Sequence, residues 1–188
     1  MGIKRLIDIL LSLSGLVILS WLLLILAIII PLDSPGCAVF TQERFGKNEK
    51  RFRIFKFRTM RQDAPKDVPT ADMADPDQYT TRVGRFLRKT SLDELPQLFN
   101  ILKGDMSIVG PRPALPNQTE LNEARRNSGV SKIRPGLTGW AQINGRDEIS
   151  DADKAQLDEY YMQHMSFLMD LKCFFGTIRP VLKGKNIR

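Results

Sequence analysis

The strongest pattern in the chain is an apolar run near its start. From Ile9 to Leu32 there is no charged residue, and Trp21 to Ile30 is apolar without interruption. About 24 helical residues extend roughly 36 Å, enough to cross a hydrocarbon core of about 30 Å. The run is too long for a signal peptide, and no small-residue cleavage site follows it. Gly36-Cys37 lies too far along, behind Ser34-Pro35, for lipoprotein processing. The segment is therefore expected to enter a membrane.

Its flanks bear on topology. Lys4 and Arg5 precede it, and Arg44, Lys47, Lys50, Arg51, Arg53, Lys56 and Arg58 follow it. Basic residues mark cytoplasmic flanks, and a straight span would expose one of these clusters on the wrong side. A helix that dips in and returns keeps both ends on the cytoplasmic face. Ser12, Ser14, Gly15 and Ser20 are the candidate break points, and no proline lies between Ile9 and Ile30.

Beyond Pro31-Leu32-Asp33-Ser34-Pro35-Gly36 the period changes. Ala38–Gln42 and Arg51–Arg58 read as strands joined by a hairpin at Gly46-Lys47-Asn48. Alternation slips at Ile54-Phe55, which predicts a bulge that re-aims Lys56 and Arg58. Gln62 to Tyr79, rich in Asp and Pro, reads as a mobile loop over a site. Helices are expected over Tyr79–Leu87 and Leu92–Leu102, with a loop from Gly110 to Pro116 and a polar helix through Arg126. Arg134–Arg146 reads as loop because of its Gly and Pro content. Asp151–Leu182 reads as helical. Its large apolar side chains and interspersed Lys and Arg fit either an interfacial membrane helix or a helix packed on the core. No internal repeat is visible.

Composition narrows the classes. The chain has 188 residues, a hydrophobic content of 43% and a formal charge of +7. That content is too low for a polytopic transporter, and the charge points to an anionic partner: nucleic acid, membrane surface or phosphorylated substrate. Two cysteines and one histidine leave no disulfide framework or multi-histidine metal centre. No Walker-type loop, GxGxxG or paired CxxC is present.

Three places hold candidate chemistry. Ser91-Leu92-Asp93-Glu94 has the spacing of a capping box, with Ser91 as N-cap and Glu94 at N3. A carboxylate at a helix N-terminus is also kept ionised, and there it can attack phosphorus or hold Mg²⁺. Gly110-Pro111-Arg112-Pro113 fixes the backbone on both sides of one guanidinium suited to phosphate. Lys56, Arg58 and Arg146, with Arg112, have the makings of a diphosphate cradle.

These residues together resemble a known family. The motifs are Ser34-Pro35-Gly36, Thr41-Gln42-Glu43-Arg44, Lys56-Phe57-Arg58-Thr59-Met60, Ser91 to Asn100, Lys103-Gly104-Asp105-Met106-Ser107, Gly110-Pro111-Arg112-Pro113, Arg134 to Trp140 and Asn144-Gly145-Arg146. In this order they resemble the bacterial sugar transferases, small monotopic phosphoglycosyl transferases. The resemblance implies an α+β, mainly helical fold: a re-entrant membrane helix over residues 1–33 and a cytoplasmic-face catalytic domain over 34–188. That domain would have a small β-hairpin and amphipathic interfacial helices around a membrane-surface active site.

The resemblance also implies a reaction. Asp93 and Glu94 would form a catalytic dyad, with Asp93 attacking the β-phosphate of a UDP-sugar, releasing UMP and carrying the phosphosugar. Polyprenol (undecaprenyl) phosphate would then accept it, the first membrane step of glycoconjugate or polysaccharide assembly. Glu94 would assist that second step. Mg²⁺, with Asp93 as a ligand, would offset the diphosphate charge. Lys56, Arg58, Arg112 and Arg146 would bind substrate. Partners would be the UDP-sugar, polyprenol phosphate and membrane lipids at the bacterial inner membrane, with no nucleic acid; a homodimer is one option.

Members often carry Ser-Pro at the helix break, where this chain has Ser20-Trp21. Larger relatives carry further N-terminal membrane helices, so the chain resembles the minimal catalytic form. Two other readings compete: a non-catalytic, membrane-tethered basic protein that binds anionic lipid or nucleic acid, and a membrane-anchored hydrolase of nucleotide-sugars.

Overall fold

A computed structural model describes residues 2–65, 68, 73, 75–145 and 149–183, with side chains as far as Thr177. The N-terminal run forms two helices, α1 (Gly2–Ile18) and α2 (Ser20–Asp33), bent by 62° at Leu19. Among the described residues no single helix is long and apolar enough to cross a membrane. The bent pair together is, by length and composition. The break falls beside Ser20, whose hydroxyl donates to Val17 O at 2.9 Å; such back-bonding loosens the local helical ladder.

The burial of α1 is inverted. Asp8, Ser12 and Leu16 are buried, while Leu6, Leu10, Leu13 and Val17 are exposed. Asp8 accepts from Ser107 Oγ and from Ile108 N at 2.9 Å. Arg5 donates to the carbonyls of Ile101 and Leu102, and Lys4 pairs with Asp170 at 2.6 Å. Polar contacts thus fasten α1 to the rest, and its apolar face is turned outward.

Strands β1 (Val39–Phe45) and β2 (Arg51–Phe57) form the expected antiparallel hairpin. Asn48 and Glu49 take positive φ in its turn. The register runs unbroken from Val39↔Phe57 to Phe45↔Arg51, so there is no bulge at Ile54-Phe55. Alternation slips for another reason: Ile54 is buried in the core while Phe55, on the opposite face, is also half-covered. Asn100 completes the free edge of β2, accepting from Phe55 N at 2.9 Å and donating to Arg53 O at 2.8 Å.

Helix α3 spans Arg82–Thr90, three residues later at each end than expected, because Thr81 caps it by accepting from Gly84 N. Ser91 is left-handed (φ +57°) and ends it. The expected helix from Leu92 is in fact one 3₁₀ turn, Leu92–Glu94, followed by α4 (Gln97–Lys103). Short parallel strands β3 (Ser107–Val109) and β4 (Gly136–Thr138) pair directly. Residues 134–146 are therefore no simple loop: they hold β4 and α6 (Trp140–Asn144). A Cβ on Gly136 would lie 2.1 Å from Gly110 N, and one on Gly139 2.1 Å from Gly110 O. These glycines let backbones touch.

Helix α5 covers Thr119–Asn127, and the C-terminal helical stretch divides into α7 (Asp151–Gln163) and α8 (Phe167–Lys183). Helix α8 buries Met169 and Cys173 yet exposes Phe167, Leu168 and Phe175, so it packs on the core and presents an apolar outer face. The main core gathers Leu16, Phe52, Ile54, Ile101, Met106 and Tyr161. Both cysteines are free, as expected. The expected loop over Gln62–Tyr79 lies partly outside the described residues; beyond it, Thr80 bridges back to Met60.

Asn100 is fully buried and satisfies both edge groups of β2. Asn100→Ala should lower unfolding free energy by about 2–4 kcal/mol, since it leaves a buried donor and acceptor without partners. Denaturant melts in detergent measure this directly.

Candidate active site

The 3₁₀ turn carries the two carboxylates into a cavity of about 1440 Å³. Ser91 makes no side-chain cap, so the capping-box alternative does not hold. Glu94 instead accepts from Lys56 Nζ at 2.8 Å and from Arg112 at 3.1 Å. Lys56 comes from β2 and Arg112 from the loop after β3, so one carboxylate joins three segments. Asp93 lies 3.9 Å from the same Lys56 ammonium. Among the described residues its carboxylate accepts no hydrogen bond.

The two acids are driven apart electrostatically. Burial pushes Asp93 up to about 6; Lys56 pulls it down, adjacent Glu94 pushes it up further, and Arg112 and Arg88 pull it down. Burial also opposes ionisation of Glu94, but Lys56 and Arg112 outweigh it and hold that carboxyl down at about 2. Glu94 is thus a fixed anion and Asp93 a nearly buried carboxylate that loses its proton only around pH 6. Such a split assigns different tasks to paired acids.

The other sequence candidates are placed differently. Arg58 is buried and lines the cavity, but its guanidinium is committed to the chain that leaves α2. It donates to Cys37 O (2.8 Å), Ser34 Oγ (3.0 Å), Pro35 O (3.0 Å), Gly36 O (3.3 Å) and, very closely, Ser34 O. This ties the membrane-helix exit to the strand that carries Lys56. Arg146 lies outside the described residues.

Three arginines on the cavity wall went unassigned from sequence. Arg88, on α3, donates to Thr59 Oγ1 at 2.9 Å and acts on Asp93. Arg44, on β1, bonds Pro113 O at 3.1 Å and Gln42 Oε1 at 2.6 Å. Arg125, on α5, pairs with buried Asp158 and donates to Arg112 O at 2.9 Å, fixing the backbone from which Arg112 projects. Arg44 lies in the Thr41-Gln42-Glu43-Arg44 motif, which was its one signal in the sequence. Arg88 falls just past the helix expected over Tyr79–Leu87, and Arg125 lies in the helix read as polar, so neither carried a signal.

The arrangement suits a diphosphate ligand: Lys56, Arg88 and Arg112 act on Asp93, and Arg44 lines the same cavity near Arg112 and Glu94. Among the described residues no three acidic, His or Cys side chains group as a metal cage. A carboxylate without hydrogen bonds beside an anionic substrate still fits Mg²⁺, which usually takes one or two carboxylates plus substrate phosphates.

Asp93 binds its proton more tightly folded than unfolded. Its contribution to stability is therefore present below the unfolded value near 4 and lost as pH rises through about 6. Asp93→Asn should raise stability at pH 7 by about 1–3 kcal/mol and flatten the pH dependence between roughly 4 and 6. Melting curves across that range decide it.

The comparisons bear on what such a site does. The chain is 41% identical over 99% of its length to a protein of Aeromonas hydrophila, the UDP-N-acetylgalactosamine-undecaprenyl-phosphate N-acetylgalactosaminephosphotransferase, of which it covers 45%. It is 40% identical over its whole length to the uncharacterized sugar transferase EpsL of Bacillus subtilis, covering 91% of that protein. It is 40% identical over 94% of its length to the UDP-glucose:undecaprenyl-phosphate glucose-1-phosphate transferase of Escherichia coli, covering 39% of it. It thus spans less than half of two of these relatives and nearly all of the third. The family description "bacterial sugar transferase" matches residues 1–184, and with the motifs, hairpin and paired carboxylates in place the chain belongs to the bacterial sugar transferase family.

Proposed function

We propose that this chain is a phosphoglycosyl transferase that moves a sugar 1-phosphate from a UDP-sugar to polyprenol phosphate with release of UMP. The relatives' names support this: two combine a UDP-sugar with undecaprenyl phosphate. The observation that carries the chemical step is Asp93, nearly buried, without hydrogen bonds among the described residues and beside Lys56. A desolvated carboxylate whose lone pairs are uncommitted is a competent nucleophile.

In the reaction, an Asp93 oxygen attacks the β-phosphorus. The bond from that phosphorus to the bridging oxygen breaks, and its electron pair leaves with UMP. Asp93 then carries the sugar phosphate as an acyl phosphate. A phosphate oxygen of the polyprenol phosphate attacks the same phosphorus, and the Asp93 carboxylate leaves. No proton need move in the first step. Lys56 and Arg112, held by Glu94, offset the growing charge on the phosphoryl oxygens; with them fixed, Glu94 serves the acceptor step as well. Asp93, together with substrate phosphate, would hold Mg²⁺, which would offset the diphosphate charge. Arg58 acts by holding the exit of α2 against β2.

The bent α1–α2 pair is read as a re-entrant membrane element. Its outward face is apolar, both flanks are basic, and the catalytic cavity then opens on the cytoplasmic side of the inner membrane. Cys37, exposed just past α2, tests this. In intact spheroplasts a membrane-impermeant maleimide should label neither Cys37 nor the Gly2→Cys variant, while lysed membranes label both. Labelling of one end in intact cells would mean a straight span.

The activity is tested by UMP release with Mg²⁺, polyprenol phosphate and a panel of UDP-sugars. Wild type should release lipid-dependent UMP, and Asp93→Ala should release none above background. The rate should climb with pH to a plateau above about 6, and Lys56→Met should move that limb upward, because Lys56 lowers the Asp93 value. A fully active Asp93→Ala would remove the nucleophile. Equal UMP with and without lipid would indicate hydrolysis.

A further inference from the structure

Among the cations on the cavity wall, Arg44 is one that the reaction as written leaves without a task. Arg44 projects from β1 toward the Gly110–Pro113 loop. Its two terminal nitrogens are anchored, one to Pro113 O and the other to Gln42 Oε1. Its Nε is buried and has no hydrogen-bond partner among the described residues. A buried charged donor left unmade costs on the order of 1–3 kcal/mol or more. Burial and the neighbouring Arg112 guanidinium both disfavour the charge on Arg44, lowering its pKa to about 10, with Glu94 giving partial relief. A tightly anchored guanidinium in this condition is incomplete without an anion.

Its place along the site separates it from the other cations. Lys56, Arg112 and Arg88 act on Asp93. In the hairpin Lys56 pairs with Phe40 and Arg44 with Phe52, so Arg44 sits four residues along the same face from the position of Lys56, about 13 Å, and it is fastened to Pro113 O, next to Arg112. It therefore enters the site from the end of the hairpin away from Lys56, on the Arg112 side. Displacement at phosphorus runs in line, with the leaving oxygen opposite the attacking one. A cation that serves the leaving group must stand away from the nucleophile, beyond those that serve the transferred phosphoryl group.

We propose that Arg44 is the binding residue for the leaving phosphate, the α-phosphate of the nucleotide donor, which departs as the phosphate of UMP. The inference rests on the transferase reading. As the β-phosphorus–oxygen bond breaks, the electron pair settles on the oxygen that becomes a terminal oxygen of UMP, and the Arg44 guanidinium meets that added charge. Gln42 has the supporting part: its Oε1 fixes the orientation of Arg44.

The probes are UMP and uridine, titrated separately into detergent-solubilised full-length protein by calorimetry, with melting curves as the folding control. Arg44→Ala should weaken UMP at least tenfold while leaving uridine unchanged, because only the phosphate contact is lost. Arg44→Lys, which keeps the charge but not the forked geometry, should fall between. It carries the test if Arg44→Ala does not fold. In stopped-flow, the UMP burst without acceptor should slow in both variants. Discharge of the preformed intermediate by polyprenol phosphate should match wild type, because UMP has already gone. UMP affinity unchanged in a folded variant, or UMP and uridine weakened equally, would overturn the proposal. Absence of UMP release by wild type across the UDP-sugar panel would instead overturn the transferase reading, so the two failures are distinct.

Discussion

Much of the site depends on one carboxylate. Glu94 receives Lys56 from the hairpin and Arg112 from the loop after β3, and it lies on the turn between α3 and α4. Removing it would leave two cations facing each other in a poorly solvated cavity, and breaking one side of such a pair costs several kcal/mol. Its ionisation also makes Asp93 what it is. A fixed negative neighbour and burial raise Asp93, while Lys56 restrains the rise. Asp93 therefore stays largely ionised near neutrality without a strong hydrogen bond among the described residues, as the proposed attack on phosphorus needs.

The polar groups behind this centre are mostly buried and directed at backbone. Arg58 gathers the carbonyls of residues 34–37, Asn100 closes the edge of β2, Arg125 holds the carbonyl of Arg112, and Asp8 reaches Ser107 and Ile108. Each joins segments far apart in sequence, and each orients one wall of the cavity. Arg58 and Asp8 also couple the apolar helix pair to the catalytic frame. The outward apolar face of α1 and α2 and the exposed phenylalanines of α8 are then carried by a scaffold whose internal fastenings are polar. An ordinary water-soluble domain places its apolar residues the other way round. A site fixed in this manner favours preorganisation over stability, consistent with the burden that buried Asp93 places on folding.

The apolar run, the hairpin, the two cysteines without a bridge and the placing of Asp93 and Glu94 beside Lys56 and Arg112 were legible in the sequence. They depend on local period, turn chemistry and an ordered set of motifs, all of which are written along the chain. Tertiary structure alone decided the rest. The helix pair breaks at Leu19 beside Ser20, one of the four positions the sequence offered, and the fold chose among them: Ser20 turns its hydroxyl back on the ladder and Asp8 holds the inner face. Ser91-Leu92-Asp93-Glu94 has the spacing of a cap, yet Glu94 is drawn away by cations 38 and 18 residues distant. Residues 134–146 read as loop because Gly and Pro weaken any local preference, but the same glycines permit the backbone contact that forms β3 and β4. Arg58, Arg44 and Arg125 look alike as basic residues in sequence. Their separate tasks follow from which carbonyls and carboxylates the fold brings within reach, and hydrogen bonds over such distances leave no periodic trace in the chain.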